Sequence, residues 1–457
     1  MLRAKLRQVT VRVNKKIKQC LWIIGLVWIL FLLGCLPVNQ SPYQQKRYYR
    51  QTKAAIAQLP APVYQRDTIK VGWAKENITP TTQAPLAGYG QRKGKNFTDI
   101  HDSIYVRAFV FKNKSRKVAF VSLDLLITPM SVSAALEKAL PQIGFTRNQT
   151  YLTATHAHSS LGGWAKKPAG YLMAGKYSSH IVKNITTAIL RAIKRAEAEA
   201  SPAQIGFTAV PADAFVSNRL VGAAGVRDTL LRLVKIQKET GEVGLLFTYA
   251  AHATCLPASE LTLSGDYPAA LVRHLEKSNV VNFAAFSAGG VASHSPAAAG
   301  NGYEKINNMV AGLSLIIQQH INQIPLAYQF KLQALTVPLY LRKPHWRLAQ
   351  NWRLHPALFY LVFGKYPANL TALRLGNILF LGTPCDFSGE LALEIQKQMP
   401  PGPDKLIVTS FNGGYIGYIT PDKYYDLKKY ETRDMNLFGP YNGAYLSEMM
   451  QLLLQKL

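Results

Sequence analysis

From Ile69 onward, short apolar runs alternate with amphipathic helical patterns, and this alternation limits the fold more than any other feature of the sequence. It predicts an α/β fold in which helices cover the faces of a sheet. The predicted strands span residues 105–111, 117–126, 150–156, 243–251, 280–287, 373–382 and 405–411. The predicted helices span residues 131–140, 180–198, 267–278, 303–322, 389–398 and 441–456. A length of 457 residues is compatible with two or three domains or with one large α/β domain.

The segment before Asp67 differs in composition from the rest of the chain. It contains no Asp or Glu, and residues 19–38 carry no charge at all. At about 1.5 Å rise per residue, a helix of that length reaches across a hydrocarbon core of roughly 30 Å. The Lys and Arg residues before it predict a cytoplasmic N-terminus and an exported body. We therefore divide the chain into a basic cytoplasmic leader (1–18), a transmembrane anchor or signal segment (19–38), a basic stalk (39–66) and a folded body (67–457).

Much of the net charge of +28 belongs to the segment before Asp67, which holds 12 Lys and Arg residues, and the remaining 391 residues carry 41 basic against 25 acidic side chains, or +16. No basic cluster coincides with a recognisable nucleic-acid-binding module, so we expect no nucleic-acid partner. Attraction to an anionic membrane surface explains the charge more simply. Residues 305–385 contain no carboxylate and mix aromatic with basic side chains. This mixture is typical of a membrane-interface face, but also of a core helix with a basic outer side, and the sequence leaves both alternatives open.

Side chains capable of chemistry follow the ends of five apolar runs. Ligands of open α/β sheets bind beyond the carboxyl ends of strands, so these ends predict one shared site. In chain order, the residues are His156 and His158, then His252, then Ser293, His294 and Ser295, then Cys385 and Asp386, and finally Tyr415 and Tyr418.

The spacing of His156 and His158 predicts a metal centre. On an extended segment, side chains alternate with period two, so both imidazoles lie on one side; in a loop, only one may reach an ion. Zinc held by imidazole and carboxylate ligands, with one open position, is the usual catalytic arrangement. The sequence lacks the helical His-Glu-X-X-His pattern. A single histidine is more often structural, so the prediction depends on the strand ends meeting.

Longer segments show that the chain resembles the catalytic N-terminal domain of neutral ceramidases, which are zinc-dependent enzymes that hydrolyse the amide bond of ceramide. The resemblance covers about residues 69–450 and implies mixed β-sheets flanked by helices in a single large catalytic domain. We expect no C-terminal β-sandwich domain of the kind that larger family members carry. The matching segments are VGWAKENITP, LAGYG, VRAFVF, VSLDLL, TATHAHSSLGG, SNR, YAAHAT, LSGDYPA, FSAGGVASHSP, GTPCDFSGE, YIGYIT and KKYETRDMNLFGPYNGAY.

The resemblance implies roles for individual side chains. The residues that match zinc ligands are His156, His252, Asp386 and Tyr418. The residues that match catalytic or substrate-orienting positions are Ser295, His158, Arg219 and Tyr430. A single zinc ion would polarise the amide carbonyl, and His158, Arg219 and Tyr430 would stabilise the negative charge that develops on the carbonyl oxygen. Whether Ser295 attacks the substrate or positions the attacking water stays open.

Two positions depart from the family pattern. Asp386 stands where the family carries a zinc-binding Glu, which is one methylene longer. The family sequence Gly-Asp-Val-Ser-Pro is replaced here by Ala292-Ser293-His294-Ser295-Pro296. These changes could alter the metal geometry and the shape of the loop around Ser295.

Cysteine and carboxylate residues near the predicted site allow further alternatives. Cys35 ends the sequence Leu-Leu-Gly-Cys, which could be a lipoprotein cleavage site instead of part of an anchor. Cys255 and Cys385 could form a disulfide, supply a thiolate ligand, or be simple buried cysteines. Asp124 and Asp266 could orient the zinc histidines, although Asp266 is equally a helix N-cap.

Two functions besides ceramide hydrolysis stay compatible with the sequence. The same fold and metal could cleave another amide or ester, because pocket walls determine the substrate. A non-catalytic lipid-binding descendant is the other alternative. The expected partners are a ceramide-like membrane lipid as substrate and a membrane surface, and the sequence does not indicate the oligomeric state.

Overall fold

The computed structural model describes residues 17–22, 34–62 and 67–457. The strands are β1 (Cys35–Pro37), β2 (Lys70–Asn77), β3 (Leu86–Ala87), β4 (Asp99–Ile100), β5 (Tyr105–Lys112), β6 (Lys117–Leu123), β7 (Thr150–Ala154), β8 (Ser160–Leu161), β9 (Ser201–Pro211), β10 (Val216–Asn218), β11 (Leu230–Lys238), β12 (Val243–Tyr249), β13 (Thr262–Leu263), β14 (Phe283–Ala288), β15 (His294–Pro296), β16 (Ala327–Tyr328), β17 (Leu332–Pro338), β18 (Arg347–Ala349), β19 (Trp352–Leu354), β20 (Asn369–Leu375), β21 (Ile378–Gly382), β22 (Asp386–Phe387), β23 (Lys405–Thr409) and β24 (Tyr418–Ile419). From residue 47 onward, the α-helices are α1 (Arg47–Ala57), α2 (Met130–Ala139), α3 (Pro168–Ala174), α4 (Ser179–Ala198), α5 (Asp266–Lys277), α6 (Tyr303–Ile321), α7 (Pro356–Phe363), α8 (Gly389–Lys397) and α9 (Asn442–Leu454).

Two sheets form the centre of the fold. The larger is nine-stranded, in the order β14-β12-β11-β9-β2-β5-β6-β7, with β16 beside β9. Its outer pairs β12–β14 and β6–β7 are parallel, and the inner pairs are antiparallel. The second sheet has the order β17-β20-β21-β23, and only its β21–β23 pair is parallel.

The two sheets pack face to face and each is covered by helices on its other side. Buried side chains of both sheets share one core, which includes Phe120 from the large sheet and Phe380 from the small one. Helices α2, α4, α5 and α6 cover the outer face of the large sheet. Helices α1, α8 and α9 cover the small sheet. The body is therefore a single mixed α/β domain with helix, sheet, sheet and helix layers, as expected.

Because both faces of each sheet are buried, the strands read as nearly continuous apolar runs. Strand β21 shows the period of two within such a run: Ile378 and Phe380 point to the large sheet, whereas Leu379 and Leu381 point to the helices. Burying both faces of a strand removes large apolar areas from water, at about 25 cal/mol per Å².

The structure has a strand or helix within each range predicted from the sequence, with one change of topology. Residues 373–382 were predicted as one strand but form parts of the antiparallel strands β20 and β21. The turn falls at Gly376, whose φ of 64° lies in the left-handed region that glycine adopts without steric cost. The turn was not predicted because apolar residues flank it on both sides and resemble one continuous strand.

Part of the segment predicted as a stalk (39–66) packs against the body. Helix α1 contacts α9 and β17. Thr52 is fully buried and hydrogen-bonds the hydroxyl of Tyr445 (2.6 Å). Tyr43 and Ile56 are also buried in the core beneath the small sheet. The segment therefore packs on the body through its aromatic and aliphatic side chains, although it is basic.

Within the described ranges, no helix combines the length and the apolar character that crossing a bilayer requires. The predicted transmembrane anchor or signal segment, 19–38, falls largely on residues 23–33, which lie outside these ranges.

Removing the buried contact of α1 should destabilise the whole domain. We expect Ile56→Ala to lower the free energy of unfolding by about 2–4 kcal/mol, because it leaves a cavity in the core. Urea denaturation would measure this change, with the exposed Arg50→Ala on the same helix as the matched control. Equal midpoints for the two variants would contradict the packing of α1 on the body.

Candidate metal centre

Several of the side chains predicted to form the site, among them His156, His252, Asp386 and Tyr418, lie together at one end of the two sheets. His156 follows β7 and His252 follows β12, and both imidazoles are buried. Strand β22 pairs in parallel with β24, and this register places Asp386 beside Tyr418. The convergence of strand ends that the sequence predicted is therefore present.

Backbone carbonyl groups orient the two buried imidazoles. Nδ1 of His156 lies 2.6 Å from the carbonyl oxygen of Leu126, and Nδ1 of His252 lies 2.7 Å from that of Val291. A carbonyl oxygen only accepts hydrogen bonds, so each Nδ1 carries the proton and donates it. In its neutral form, each imidazole then has an Nε2 lone pair that points to the centre of the site. Metal-binding histidines are commonly oriented in this way.

The backbone of His156 adopts a strained conformation. Its φ is 65°, in the left-handed region that a non-glycine residue rarely occupies. Phe411, whose φ is also 65°, stacks on the His156 ring at 4.0 Å. Such conformations cost about 1–3 kcal/mol and persist only where the surroundings hold them in place. The stacking and the bond to Leu126 provide this restraint.

Asp386 faces both imidazoles. Its Oδ1 lies 3.2 Å from Nε2 of His156 and 3.3 Å from Nε2 of His252, and its Oδ2 accepts a hydrogen bond from Tyr415 (2.8 Å). Burial alone raises the pKa of Asp386, but the imidazoles of His156 and His252 outweigh it and hold the pKa well below its usual range. The carboxylate is therefore charged at neutral pH.

The atoms facing the centre are mainly acceptors, and this arrangement suits a cation. With the imidazoles neutral, the Nε2 atoms of His156 and His252 offer lone pairs, and Oδ1 of Asp386 is buried without a hydrogen-bond partner. Burial, together with the charge of Arg219, lowers the pKa of His252 to about 3, so its imidazole is neutral. Acceptors this close repel one another unless a positive charge lies among them. Imidazole nitrogen and carboxylate oxygen are among the ligands that bind zinc in proteins.

His158 joins the same cluster. The ligand atoms of His156, His158 and His252 all lie within 4.8 Å of one another. Nε2 of His158 is 3.0 Å from Nε2 of His156, and its Nδ1 is buried without a hydrogen-bond partner. Burial and the neighbouring His156 lower the pKa of His158 well below its usual value. The sequence predicted His158 as a substrate-binding neighbour, and the geometry equally admits it as a ligand.

Arg219 places a positive charge beside the cluster. Its Nη2 donates to the hydroxyl of Tyr418 (3.2 Å) and lies 3.4 Å from Nε2 of His252. Its Nε donates to Glu431 (2.7 Å), which holds the guanidinium in place. Tyr430, at the start of a π-helical turn, packs edge-on against Tyr418 at 5.5 Å. No role was predicted for Glu431 from the sequence, although it adjoins Tyr430.

Ser295 is a predicted site residue for which the structure shows no hydrogen bond to the cluster in the described part of the chain. It lies in β15 opposite Ser217 of β10, and its carbonyl oxygen accepts a hydrogen bond from that serine (3.4 Å). Among the described residues, its hydroxyl makes no hydrogen bond to the histidines or to Arg219. The preceding His294 is fully buried, and its Nε2 accepts a hydrogen bond from the backbone N–H of Asp228 (3.1 Å).

The two aspartates proposed as partners of the zinc histidines serve other groups. Asp124 accepts a hydrogen bond from the backbone N–H of Tyr105 (2.9 Å). Asp266, the first residue of α5, accepts bonds from the backbone N–H groups of Cys255 and Leu256. Backbone carbonyls orient the histidines instead. Cys255 and Cys385 are both buried and unpaired, so the alternative of a disulfide between them is wrong.

An apolar cavity of about 930 Å³ leads to the cluster. His156, His158 and Tyr418 lie at its inner end, and most of its wall is aliphatic or aromatic. The wall comes mainly from α3, α7 and the end of β17. Ser295 is not among the described residues that line it. The cavity therefore suits a long apolar substrate whose reacting group meets the histidines.

Fold and site together define a helix–sheet–sheet–helix protein with a buried histidine and carboxylate centre beneath an apolar cavity. Comparison with known families agrees: the family described as "Neutral/alkaline non-lysosomal ceramidase, N-terminal" matches residues 69–309, more than half of the chain. The chain belongs to this family.

Individual relatives match over shorter segments. The neutral ceramidase of Mycobacterium tuberculosis is 24% identical over 222 residues, which are 42% of this chain and 33% of that protein. The neutral ceramidase of Pseudomonas aeruginosa is 27% identical over 143 residues, which are 30% of this chain and 21% of that protein. The matched segments thus span a third or less of these relatives.

Solved structures share the fold at low sequence identity. The crystal structure of neutral ceramidase from Pseudomonas aeruginosa superposes with a TM-score of 0.72 and 18% identity, over 86% of this chain and 75% of that one. A structure described as ceramidase complexed with C2 gives the same TM-score and identity, over 85% and 74% of the two chains.

Removing one imidazole should remove the metal but not the fold. We expect His156→Ala or His252→Ala to reduce bound metal from about one equivalent to near zero, because each supplies one of the few ligands of the centre. Elemental analysis of purified protein measures the metal, and circular dichroism checks the fold. The exposed His180→Ala is the matched control. Unchanged zinc content in both site variants would refute the assignment.

Proposed function

We propose that this protein is a zinc-dependent amidohydrolase that cleaves ceramide, or a related N-acyl lipid, into a sphingoid base and a fatty acid. The observation that carries the proposal is that Asp386 faces both His156 and His252, and that His156 lines the inner end of an apolar cavity. Family membership and the names of the relatives support the substrate class.

The residues that would hold zinc are His156, His252, Asp386 and Tyr418. Bound there, zinc supplies a Lewis acid that polarises the amide carbonyl and favours a nucleophile at neutral pH. The net reaction adds water across the amide: a C–O bond forms, the C–N bond breaks, and the amine leaves with a proton from the water.

Residues around the centre have separate tasks in this proposal. Arg219, held by Glu431, places its guanidinium where negative charge develops on the carbonyl oxygen. Tyr430, beside Tyr418, contributes a hydroxyl on the same side, and His158 exchanges a proton or orients the amide. Ser295 keeps its proposed role at the scissile amide, either as the attacking nucleophile or by positioning the attacking water.

The cavity wall determines which substrates enter. Long acyl and sphingoid chains bury methylene groups there, at about 0.8 kcal/mol for each. An N-acyl amino acid with one chain and a charged end fills this volume less well. Another amide or ester with long chains is the second candidate, because the apolar wall recognises chain length rather than the head group.

We also propose that the body lies outside the cytoplasm, tethered by residues 19–38 or by a lipid on Cys35. The basic leader and the uncharged segment of the sequence support this location.

A direct assay tests the proposed reaction. We expect the wild-type protein to hydrolyse short- and long-chain ceramides faster than simple N-acyl amino acids, and His252→Ala to lose at least about 100-fold in kcat/KM because the metal is lost. Release of fatty acid measures turnover. Zinc-loaded protein without turnover on any N-acyl lipid would instead support a lipid-binding descendant.

The short carboxylate at position 386 gives a second test. We expect Asp386→Glu to keep or raise activity, because it restores the longer ligand of the family, and Asp386→Asn to lower metal affinity by about 10-fold or more, because it removes the charge that faces both imidazoles. Kinetics and metal titration measure the two effects. An inactive Asp386→Glu that still binds metal would count against the alignment of Asp386 with the family ligand.

A further inference from the structure

One face of the molecule, at the mouth of the cavity, carries large apolar side chains in contact with solvent. Helices α3 and α7 contact each other there and both line the cavity. Leu172 of α3 and Leu361 of α7 are 51% and 65% exposed. Their neighbours Tyr171 and Leu358 are 48% and 40% exposed. Clustered exposure of this kind marks an interaction site.

The hairpin of β18 and β19 extends this face. Leu348 and Trp352 on the hairpin are exposed, and His355 connects β19 directly to α7. We call the surface formed by α3, α7 and this hairpin the mouth face. Trp and Leu side chains together are typical of surfaces that enter the headgroup region of a bilayer.

The N-terminal segment of the chain joins the body at the mouth face. Strand β1 pairs with β19, with Cys35 opposite Leu354. The backbone N–H of His355 donates to the carbonyl oxygen of Gly34 (2.8 Å). Residues 19–38 are the uncharged segment of the sequence, and β1 lies at its end. A membrane that held this segment would therefore lie against the mouth face.

The charge of the mouth face complements an anionic lipid surface. Lys167 and Lys365 are exposed and also line the cavity, and Lys343 is exposed nearby. Neither 138–196, which contains α3, nor 305–385, which contains α7, has a single Asp or Glu. Basic residues that flank exposed apolar side chains bind anionic bilayers by combining charge attraction with apolar insertion.

We propose that the mouth face docks on an anionic phospholipid bilayer, so that the cavity opens directly into the membrane interface. This inference rests on the proposed function, because docking serves substrate entry only if the substrate is a membrane lipid. A two-chain lipid would then pass from the bilayer into the cavity without exposing its chains to water. Transfer of each methylene group to water is unfavourable, so docking removes the largest barrier to substrate entry.

Photocrosslinking tests the docking independently of turnover. The full chain is reconstituted with vesicles of phosphatidylcholine and phosphatidylglycerol after Leu361→p-benzoylphenylalanine substitution. The matched control is Leu315→p-benzoylphenylalanine on α6, which covers the large sheet and is 55% exposed. We expect lipid adducts at position 361 and not at position 315. Equal adducts at both positions, or crosslinks at 361 to a second copy of the chain, would overturn the proposal.

Kinetics with two forms of substrate provide a second test. We expect the Leu358→Gln, Leu361→Gln double variant to hydrolyse long-chain ceramide in anionic vesicles about 10-fold more slowly, because apolar insertion is lost. Its rate on a water-soluble short-chain substrate should be unchanged, because neither residue lines the cavity. The control is Leu315→Gln. Equal rates with vesicles, or equal losses on both substrates, would contradict docking. If the wild-type protein hydrolysed neither substrate, the proposed function would be refuted. The crosslinking experiment would still test whether the mouth face binds the bilayer.

Discussion

The site depends on acceptor atoms that are buried facing one another. Two imidazole lone pairs and a carboxylate oxygen point to a common centre, and the backbone carbonyls of Leu126 and Val291 fix the imidazoles in that orientation. Such an arrangement is unfavourable by itself, because the buried Oδ1 of Asp386 has lost water and has no hydrogen-bond partner, although Nε2 of His158 and the hydroxyl of Tyr418 each lie 3.0 Å from one of the two imidazole Nε2 atoms. It is stable only when a cation occupies the centre or when the surrounding fold holds it rigidly.

The layers of the fold supply that rigidity. The histidines follow strands of the large sheet, whereas Asp386 and Tyr418 come from short strands in segments next to the small sheet. Packing of the sheets against each other therefore sets the distance between the imidazoles and the carboxylate. Because close-packed cores resist deformation, a shift of one sheet would separate the ligands. The φ of 65° at His156 is one that a non-glycine residue rarely adopts, so the packing holds this residue in a conformation that it would not prefer by itself.

The apolar cavity and the basic, apolar mouth face belong to the same part of the molecule. Helices α3 and α7 are short, and their large apolar residues divide between the cavity wall and the solvent. A helix that is apolar on several sides needs more than one apolar environment. The cavity supplies one of these, and the bilayer in our proposal supplies the other. Recognition of the lipid and of its membrane then uses the same elements.

Although the strands predicted from the sequence did not include β2, β9 and β11 of the large sheet, the sequence by itself determined the mixed α/β class, the strand ends that carry His156, His252 and Asp386, and the family. These are local features, since hydrophobic period and motif spacing act over a few residues. It could not determine that residues 373–382 turn back, that α1 packs on the body, that Asp124 and Asp266 serve backbone groups, or that Ser295 lies off the cavity. Those outcomes were decided by tertiary structure, because sheet order, register and layer packing join residues far apart in the chain.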